Sequence, residues 1–298
     1  LTEIVSECSK YRMSVSTVPQ MVFKIADENP VNPIMDWIES IDWDGKNRFE
    51  QLFETLEIEE PKLSRVLLRK WLLSAIAAVH SPIGHAAQGV LVLQGEQGLG
   101  KTRWVEALCP PAINQYFIGG FILEPKKKDS ILTASRHWIV ELGELDATFR
   151  RTDIAALKAY LTNKKDVVRK PFARVDSEMP RRTVFTATVN ELNFLADDTG
   201  NRRFWTMRCE EIDPDHKIDM HQLWAEIYVA YRNDEPFYLT KIETDWLATY
   251  NAVSETANPI EEKLKSHFNW KVTPCHYMTA TEICQAIGYH NPSQKNVR

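Results

Sequence analysis

The sequence predicts an α/β fold in which a central sheet is flanked by helical regions. Three short apolar runs, at residues 89–93, 137–142 and 182–190, have the character of buried parallel strands, and the last two are rich in β-branched residues. Helical patterns fall between these runs, and strands that alternate with helices indicate a three-layer α/β core. The 298 residues, of which 44% are hydrophobic, suffice to bury such a core.

The first helical region is predicted from residues 33–80. PIMDWIESI and FEQLFETL are amphipathic patterns, and the turn DWDGKNRF separates them. LSRVLLRKWLLSAIAAVH is longer and largely apolar on one face, which is typical of a helix that packs against a core.

The chain becomes helical again from about residue 211. DMHQLWAEIYVAYRNDEP and ETDWLATYNAVSETANPIEEKLKSHF are helical patterns, and HYMTATEICQAIGY has the pattern of the start of another small helical module. Within the core, TDIAALKAYLTN is a further helix. We therefore predict a helical region, a core and a second helical region, at residues 1–80, 81–210 and 211–298.

The first predicted strand leads into a glycine-rich loop that matches GxxxxGK[ST] at every fixed position. The loop consists of Gly95, Glu96, Gln97, Gly98, Leu99, Gly100, Lys101 and Thr102. Glycines let the backbone wrap around phosphates, Lys101 would reach the β- and γ-phosphates, and Thr102 would bind Mg²⁺. The alternative is a glycine-rich turn with a surface lysine. A strand before the loop and the helical pattern KTRWVEAL after it favour the phosphate site.

Acidic residues follow the second predicted strand. Glu141 lies at the end of the run HWIVEL, and Glu144 lies just beyond it. In a site that hydrolyses a nucleotide, one carboxylate holds the magnesium's water shell and another polarises the attacking water. The two glutamates are separated by two residues rather than adjacent, so the division of these roles stays open. Alternatively, Glu144 is a helix N-terminal residue that the helix dipole stabilises.

Polar residues also follow the third predicted strand. Asn190 lies at its tip, where an amide can hydrogen-bond the attacking water or the γ-phosphate, although asparagine is also common in turns. Arg202 and Arg203 follow a Gly-Asn turn, and an arginine on such a loop suits a finger that contacts a γ-phosphate of its own or a neighbouring subunit. The alternative is a surface arginine paired with Asp197 or Asp198.

Residues 158–182 form a basic segment in an acidic chain. The segment holds eight Lys or Arg against three Asp or Glu, a balance of +5, whereas the whole chain has a net charge of −5. DVVRKPF and ARVDSEM can form a hairpin, and cations interleaved with an aromatic ring suit contact with a nucleic-acid strand. The predicted DNA-binding residues are Lys164, Lys165, Arg169, Lys170, Phe172 and Arg174. The alternative is a solvated run of charges.

The composition argues against several other classes of protein. The longest apolar run, WLLSAIAAV, is about half of a membrane span of roughly 20 residues, so we expect no membrane anchor. Five scattered cysteines without a CxxC pair indicate reduced thiols and a cytoplasmic protein. Cys275, His276, Cys284 and His290 are close in sequence, but their spacing is poor for zinc, so we expect no zinc site.

Five segments resemble, in the same order, the virulence-associated protein E family. They are LVLQGEQGLGKTRWVEAL, WIVELGELD, LKAYLTNKKDVVRKPFARV, FTATVNELNFLADDTGNRRFW and QLWAEIYVAYRNDEPFYL, and the resemblance runs from about residue 30 to the end. That family consists of AAA+-like ATPases of phages, prophages and mobile elements, and is similar to superfamily-three helicases. The resemblance therefore implies a P-loop NTPase core of the AAA+ or superfamily-three helicase type.

The resemblance also implies roles for the candidate residues. In superfamily-three helicases, six subunits form a ring around DNA, ATP binds between subunits, and a hairpin before the sensor strand grips DNA. By this resemblance, Lys101 and Thr102 would bind ATP and Mg²⁺, and Glu141 and Glu144 would be the acidic pair, with Glu141 near the metal. Asn190 would be the sensor, and Arg202 or Arg203 would be the finger in trans. Arg169, Lys170 and Arg174 would contact DNA.

The sequence thus predicts an ATP-dependent DNA helicase or translocase that acts in the replication of a phage or mobile element in a bacterial cell. Its expected partners are single-stranded or forked DNA and further copies of the chain in a hexameric ring; a primase module, if there is one, would lie upstream. Two alternatives stay open: a P-loop phosphotransferase, and a nucleotide-gated DNA-binding scaffold in replication initiation or host defence. Stimulation of ATP hydrolysis by single-stranded DNA distinguishes the motor from both.

Overall fold

A computed structural model of the chain describes residues 2–143, 151–168, 177–190 and 201–252, together with residues 279, 282, 283 and 286. The fold is mixed α/β, as predicted. Its helices are α1 Thr2–Lys10, α2 Val18–Glu28, α3 Pro33–Ile38, α4 Arg48–Phe53, α5 Pro61–His80, α6 Lys101–Ala107, α7 Lys128–Ala134, α8 Arg151–Leu161, α9 Met220–Arg232 and α10 Lys241–Asn251. Its strands are β1 Leu56–Ile58, β2 Val90–Gln94, β3 Phe117–Phe121, β4 Ile139–Leu142, β5 Lys165–Val168, β6 Ser177–Pro180, β7 Val184–Val189 and β8 Phe204–Ile212.

Side-chain caps begin two of the helices in the first predicted helical region. The Asn32 side chain accepts a hydrogen bond from the Met35 amide at 3.3 Å, and the Asn47 side chain accepts one from Glu50 at 2.9 Å. Both caps satisfy amides that have no partner within the helix. The prediction of a helix through FEQLFETL was wrong at its end, because α4 stops at Phe53 and Leu56 begins strand β1.

Six strands form one sheet in the order β1-β8-β2-β7-β4-β3. All neighbouring strands are parallel except β1 and β8, which are antiparallel. The three predicted strands are confirmed as β2, β4 and β7. The strand β8 was missed, because its apolar residues are followed by Arg208, which the fold buries over the Tyr250 ring at 4.1 Å.

The sheet is covered on both faces. Alternate residues of β2 point to opposite sides: Leu91 and Leu93 belong to a core with α5 and α9, while Val90 and Val92 belong to a second core with α7 and α8. A tryptophan of α5 links this helix to the sheet, because the Trp71 indole donates a hydrogen bond to the Phe185 carbonyl of β7 at 2.8 Å. The first core contains residues from all three predicted parts of the chain, so any boundary between those parts crosses it.

The strands β5 and β6 form a separate antiparallel hairpin, and this confirms the arms of the predicted hairpin. A buried ion pair fixes its root. Arg181, just after β6, donates to both oxygens of Asp166 in β5, at 3.1 and 2.5 Å. The same guanidinium lies 3.9 Å from the centroid of the Tyr160 ring in α8 and donates to the Tyr160 carbonyl at 2.6 Å.

Some cations of the basic segment are not available to a partner at its surface. Its side chain is wholly buried, and Lys158 is also buried, above the Phe204 ring. Lys165 is exposed but pairs with Glu178 across the hairpin at 2.8 Å. The segment therefore exposes fewer cations than its composition suggests, although its balance of charge changes little because Arg181 and Lys165 are each paired with one of its own acids.

Candidate functional site

The glycine-rich loop joins β2 to α6 at the carboxyl edge of the sheet, where ligands bind in open α/β folds. Two of its glycines lie where a side chain would collide with neighbouring residues. Gly100 has a φ of +84°, and a Cβ there would lie 2.8 Å from a ring carbon of Pro214. A Cβ on Gly95 would lie 2.5 Å from the Cys209 carbonyl oxygen of β8. The loop therefore packs closely against the end of β8.

The Lys101 ammonium is buried on the inner side of this loop, with the residue only 6% exposed. Its Nζ donates to the carbonyl oxygens of Gly95 at 2.7 Å and Glu96 at 2.6 Å. It also donates to the Asn190 side-chain oxygen at 3.0 Å. The structure thus brings together two predicted site residues that are 89 positions apart in the sequence.

The Glu141 carboxylate is the acidic centre of the site and is 2% exposed. One of its oxygens accepts hydrogen bonds from Thr188 at 2.6 Å and from Thr102 at 3.2 Å. The other accepts the Gly120 amide at 2.6 Å. These donors offset the cost of burying a carboxylate. Thr102 and Glu141, both predicted to lie near the metal, are therefore in contact.

Two of these partners, Thr188 and Gly120, were missed by the sequence analysis. Gly120 has a φ of +62° at an irregularity in the pairing of β3 with β4, which turns its amide onto the carboxylate. The paired glycines in FIGGF were a usable signal, because glycine inside a strand often marks a bulge. Thr188 was also within reach, since it lies two residues before Asn190 and so on the same face of the strand.

Arg202 and Arg203 lie at the opposite edge of the sheet from the loop. In the parallel pairing of β8 with β2, Phe204 lies beside Val90 and Arg208 beside Gln94. The five residue steps from Arg203 to Arg208 span about 17 Å at roughly 3.3 Å per step. The two arginines are therefore distant from the loop of their own chain, and their assignment as a finger stays a prediction.

The two arginines lie in a concave part of the surface, whose described lining residues include no acid. Both line a pocket of about 400 Å³ with Gln88, Thr162 and Trp205. Within the described part of the chain, neither guanidinium has a hydrogen-bond or ion-pair partner. Burial, and then the neighbouring charge of Arg202, hold the pKa of Arg203 below its ordinary value. Among the described residues, these two adjacent cations have no counter-charge, whereas Asp197 and Asp198, the alternative partners, lie outside the described residues.

Several predicted residues cannot be located in the fold. Glu144, Arg169, Lys170, Phe172 and Arg174 lie outside the described residues, as do the rejected zinc candidates and the aspartates considered as arginine partners. Lys164 is exposed at the start of the hairpin, and its carbonyl accepts the Arg181 amide at 2.9 Å. Lys164 and Lys165 are therefore the described members of the predicted DNA-binding set.

The oxygens of Thr102 and Glu141 fit a magnesium ion that is held together with a nucleotide. Mg²⁺ usually takes one or two protein oxygens and completes its shell with phosphate and water. Thr102 and Glu141 offer such oxygens 3.2 Å apart next to the loop. The described residues contain no cluster of three or more His, Cys, Asp or Glu that could hold a metal ion. The helices of the same residues include none of the length and apolarity needed to cross a membrane.

Comparison with known proteins gives one family match. The family model of the virulence-associated protein E-like domain matches residues 38–256. No curated protein matches the chain.

Structures of the NrS-1 C-terminal region match with low identity. The apo structure of residues 305–718 has 16% identity and a TM-score of 0.47, an A-form apo structure has 14% and 0.44, and a second A-form apo structure has 17% and 0.46. Each match covers 78% of this chain and 56% of the other, so the chain spans little more than half the length of those structures.

Proposed function

Since this chain belongs to the virulence-associated protein E-like family, we propose that it is an ATP-dependent DNA helicase or translocase that acts in the replication of a phage or mobile element. One observation carries the proposal. Lys101, Thr102, Glu141 and Asn190, from three separate parts of the sequence, meet at the carboxyl edge of the sheet beside a glycine-rich loop. Such a set is what a P-loop NTPase of the AAA+ or superfamily-three type needs for nucleotide hydrolysis.

The loop at 95–102 would hold the phosphates of ATP. Lys101 is already surrounded by loop carbonyls, and it would exchange some of these partners for β- and γ-phosphate oxygens. Thr102 and Glu141 would hold Mg²⁺, which when bound neutralises charge that develops on the phosphates. Asn190 is within reach of the ammonium and would hydrogen-bond the γ-phosphate or the attacking water. We assign Glu144 to the polarisation of that water, with Glu141 beside the metal.

The two arginines would complete the site of a neighbouring subunit. Arg203 lies about 17 Å along β8 from the loop end of the sheet, which favours contact with a nucleotide held by a second copy of the chain. Their concave surroundings, whose described lining residues include no acid, suit an incoming triphosphate. This supports a ring in which each nucleotide lies between two subunits, and we propose a hexamer.

The hairpin would contact DNA. Lys164 and Lys165 belong to its described part, and Arg169, Lys170, Phe172 and Arg174 would contribute at its tip. The strand β7 provides a direct path between the two sites, because the hairpin root at Arg181 precedes β7 and Asn190 follows it. A change at the γ-phosphate would therefore reach the hairpin through one strand of the sheet.

ATP hydrolysis with and without single-stranded DNA, together with the solution mass, tests the proposal. We expect hydrolysis that DNA stimulates, by an assembly larger than a dimer. Hydrolysis that depends on a small-molecule acceptor would instead indicate a phosphotransferase. Binding of ATP without turnover under any condition would indicate a nucleotide-gated scaffold.

A further inference from the structure

The order of the strands sets the direction of a nucleotide in the proposed site. Glu141 and Asn190 follow β4 and β7, which lie on one side of β2, whereas β8 lies on the other side. If the γ-phosphate lies toward Glu141 and Asn190, as the proposed function requires, the ribose and base extend toward the chain that follows β8.

The chain after β8 forms one wall of a pocket beside the phosphate loop. Pro214 packs on Gly100, and Asp215 forms an ion pair with Arg103, the residue after Thr102. A pocket of about 410 Å³ continues from there along α6. Its lining includes Arg103, Glu106, Ala107, Cys109, His216 and Met220. This volume lies within the range of small-molecule sites.

His216 has unsatisfied hydrogen-bonding capacity in this wall. Both ring nitrogens are buried, and neither has a hydrogen-bond partner in the described part of the chain. Burial holds the pKa of His216 below its ordinary value, so the ring is neutral near pH 7 and carries one donor and one acceptor. Buried polar groups are nearly always paired, so these two nitrogens call for a ligand with both kinds of group.

We propose that the pocket between α6 and the chain after β8 binds the nucleobase of the nucleotide, and that His216 hydrogen-bonds this base. The inference rests on the proposed function. A nucleobase fits on three grounds: it is flat and largely apolar on its faces, its edge carries donors and acceptors, and the pocket begins at Arg103, directly after the phosphate loop. His216 would then contribute to the choice among nucleotides, and the loop would supply affinity for any of them.

Competition binding separates the two contributions. Unlabelled ATP, GTP and inorganic tripolyphosphate would each displace a ribose-labelled fluorescent ATP analogue from the wild type and from two variants. His216→Phe keeps an aromatic ring but removes both nitrogens, and Ala107→Phe narrows the pocket from α6 without touching His216. We expect each variant to lose about tenfold in affinity for its preferred nucleotide, since one lost base contact changes binding by roughly that factor. Affinity for tripolyphosphate should stay unchanged.

The controls distinguish failure of this inference from failure of the proposed function. Lys217→Ala, beside His216 but exposed, should behave as the wild type. Wild-type protein that binds neither nucleotide nor tripolyphosphate would overturn both proposals. Wild-type protein that binds nucleotides, with both phenylalanine variants retaining its affinities and its preference, would overturn the base pocket alone. Equal losses for tripolyphosphate and ATP would also overturn it, because they would indicate damage to the loop.

Discussion

The two edges of the central sheet differ in how their charged side chains are satisfied. At the carboxyl edge, Lys101 and Glu141 are buried, and each has at least three hydrogen-bond partners within the chain. At the amino edge, Arg202 and Arg203 have none among the described residues and border an open pocket. The carboxyl edge is therefore organised by the chain itself, whereas the amino edge has the character of a surface that meets another molecule. If the proposed function holds, a single subunit would bind a nucleotide but would need a neighbour to complete its hydrolysis.

Removing the Lys101 ammonium should abolish the activity of the candidate site at the carboxyl edge. In Lys101→Ala, ATP hydrolysis should disappear, because the loop loses the cation that offsets phosphate charge. Steady-state ATPase assays check this, with Lys62→Ala as the matched control because that lysine is exposed at the start of α5. A thermal unfolding midpoint equal to that of the wild type would show that the variant is still folded. A folded Lys101→Ala protein with normal turnover would remove the loop from the mechanism.

The arginines of the amino edge should affect ATP hydrolysis only at the site of a neighbouring subunit. Of Arg202→Ala and Arg203→Ala, one should lose about a thousandfold in turnover, as the loss of a finger does, and the other should only be destabilised. Mixing the inactive variant with Lys101→Ala should restore some activity, because one kind of mixed interface then has both parts intact. Absence of rescue at every ratio, in protein shown to exchange subunits, would contradict a role in trans.

The hairpin contains its own contrast between a buried and an exposed ion pair. Asp166→Asn should lower the free energy of unfolding by about 3–5 kcal/mol, because it leaves the Arg181 guanidinium buried with only a neutral partner. Glu178→Gln, which breaks the exposed pair with Lys165, should cost less than about 1 kcal/mol. Chemical denaturation of both variants tests the comparison. Similar losses would mean that the hairpin root opens to solvent.

The smallest expected effect concerns the contacts of the hairpin tip with DNA. The triple variant of Arg169, Lys170 and Arg174 to alanine should bind single-stranded DNA more weakly, and its affinity should depend less on salt, by about 0.7 units of slope per lost contact. Basal ATP hydrolysis should persist while its stimulation by DNA is lost. Binding curves at several salt concentrations provide the measurement. Curves that superimpose on those of the wild type would place any DNA site elsewhere.

Local patterns predicted the parts of this fold that depend on neighbouring residues. The strands β2, β4 and β7 and the loop at 95–102 follow from apolar runs and glycine spacing. The environment of Arg181 does not, because it depends on Tyr160 and Asp166, which reach it through separate elements. Arg181 and Arg182 are adjacent and equally basic in the sequence, yet only Arg181 is fully buried in an ion pair.

The candidate site shows the same contrast between features that local patterns predict and features that depend on separate elements. Glu141 and Asn190 were predicted because the carboxyl ends of strands meet at one edge of any parallel sheet, and this rule can be applied to a sequence. The Gly120 amide was missed because its contact with Glu141 depends on an irregularity in the pairing of two strands. The opposite placement of Arg202 and Arg203 was missed together with β8, because their position is defined only once the strand that follows them is known.

The short antiparallel strand β1 has a consequence for the behaviour of the protein in solution. It pairs with the outer side of β8, from Leu56 beside Ile212 to Ile58 beside Cys209. Without it, the backbone amides and carbonyls of that side of β8 would be open to pairing with strands of other molecules, and exposed strand edges promote aggregation. The three residues of β1 thus cover the edge of the sheet at β8. We expect a truncated form of this protein to resist aggregation only if it begins before Leu56.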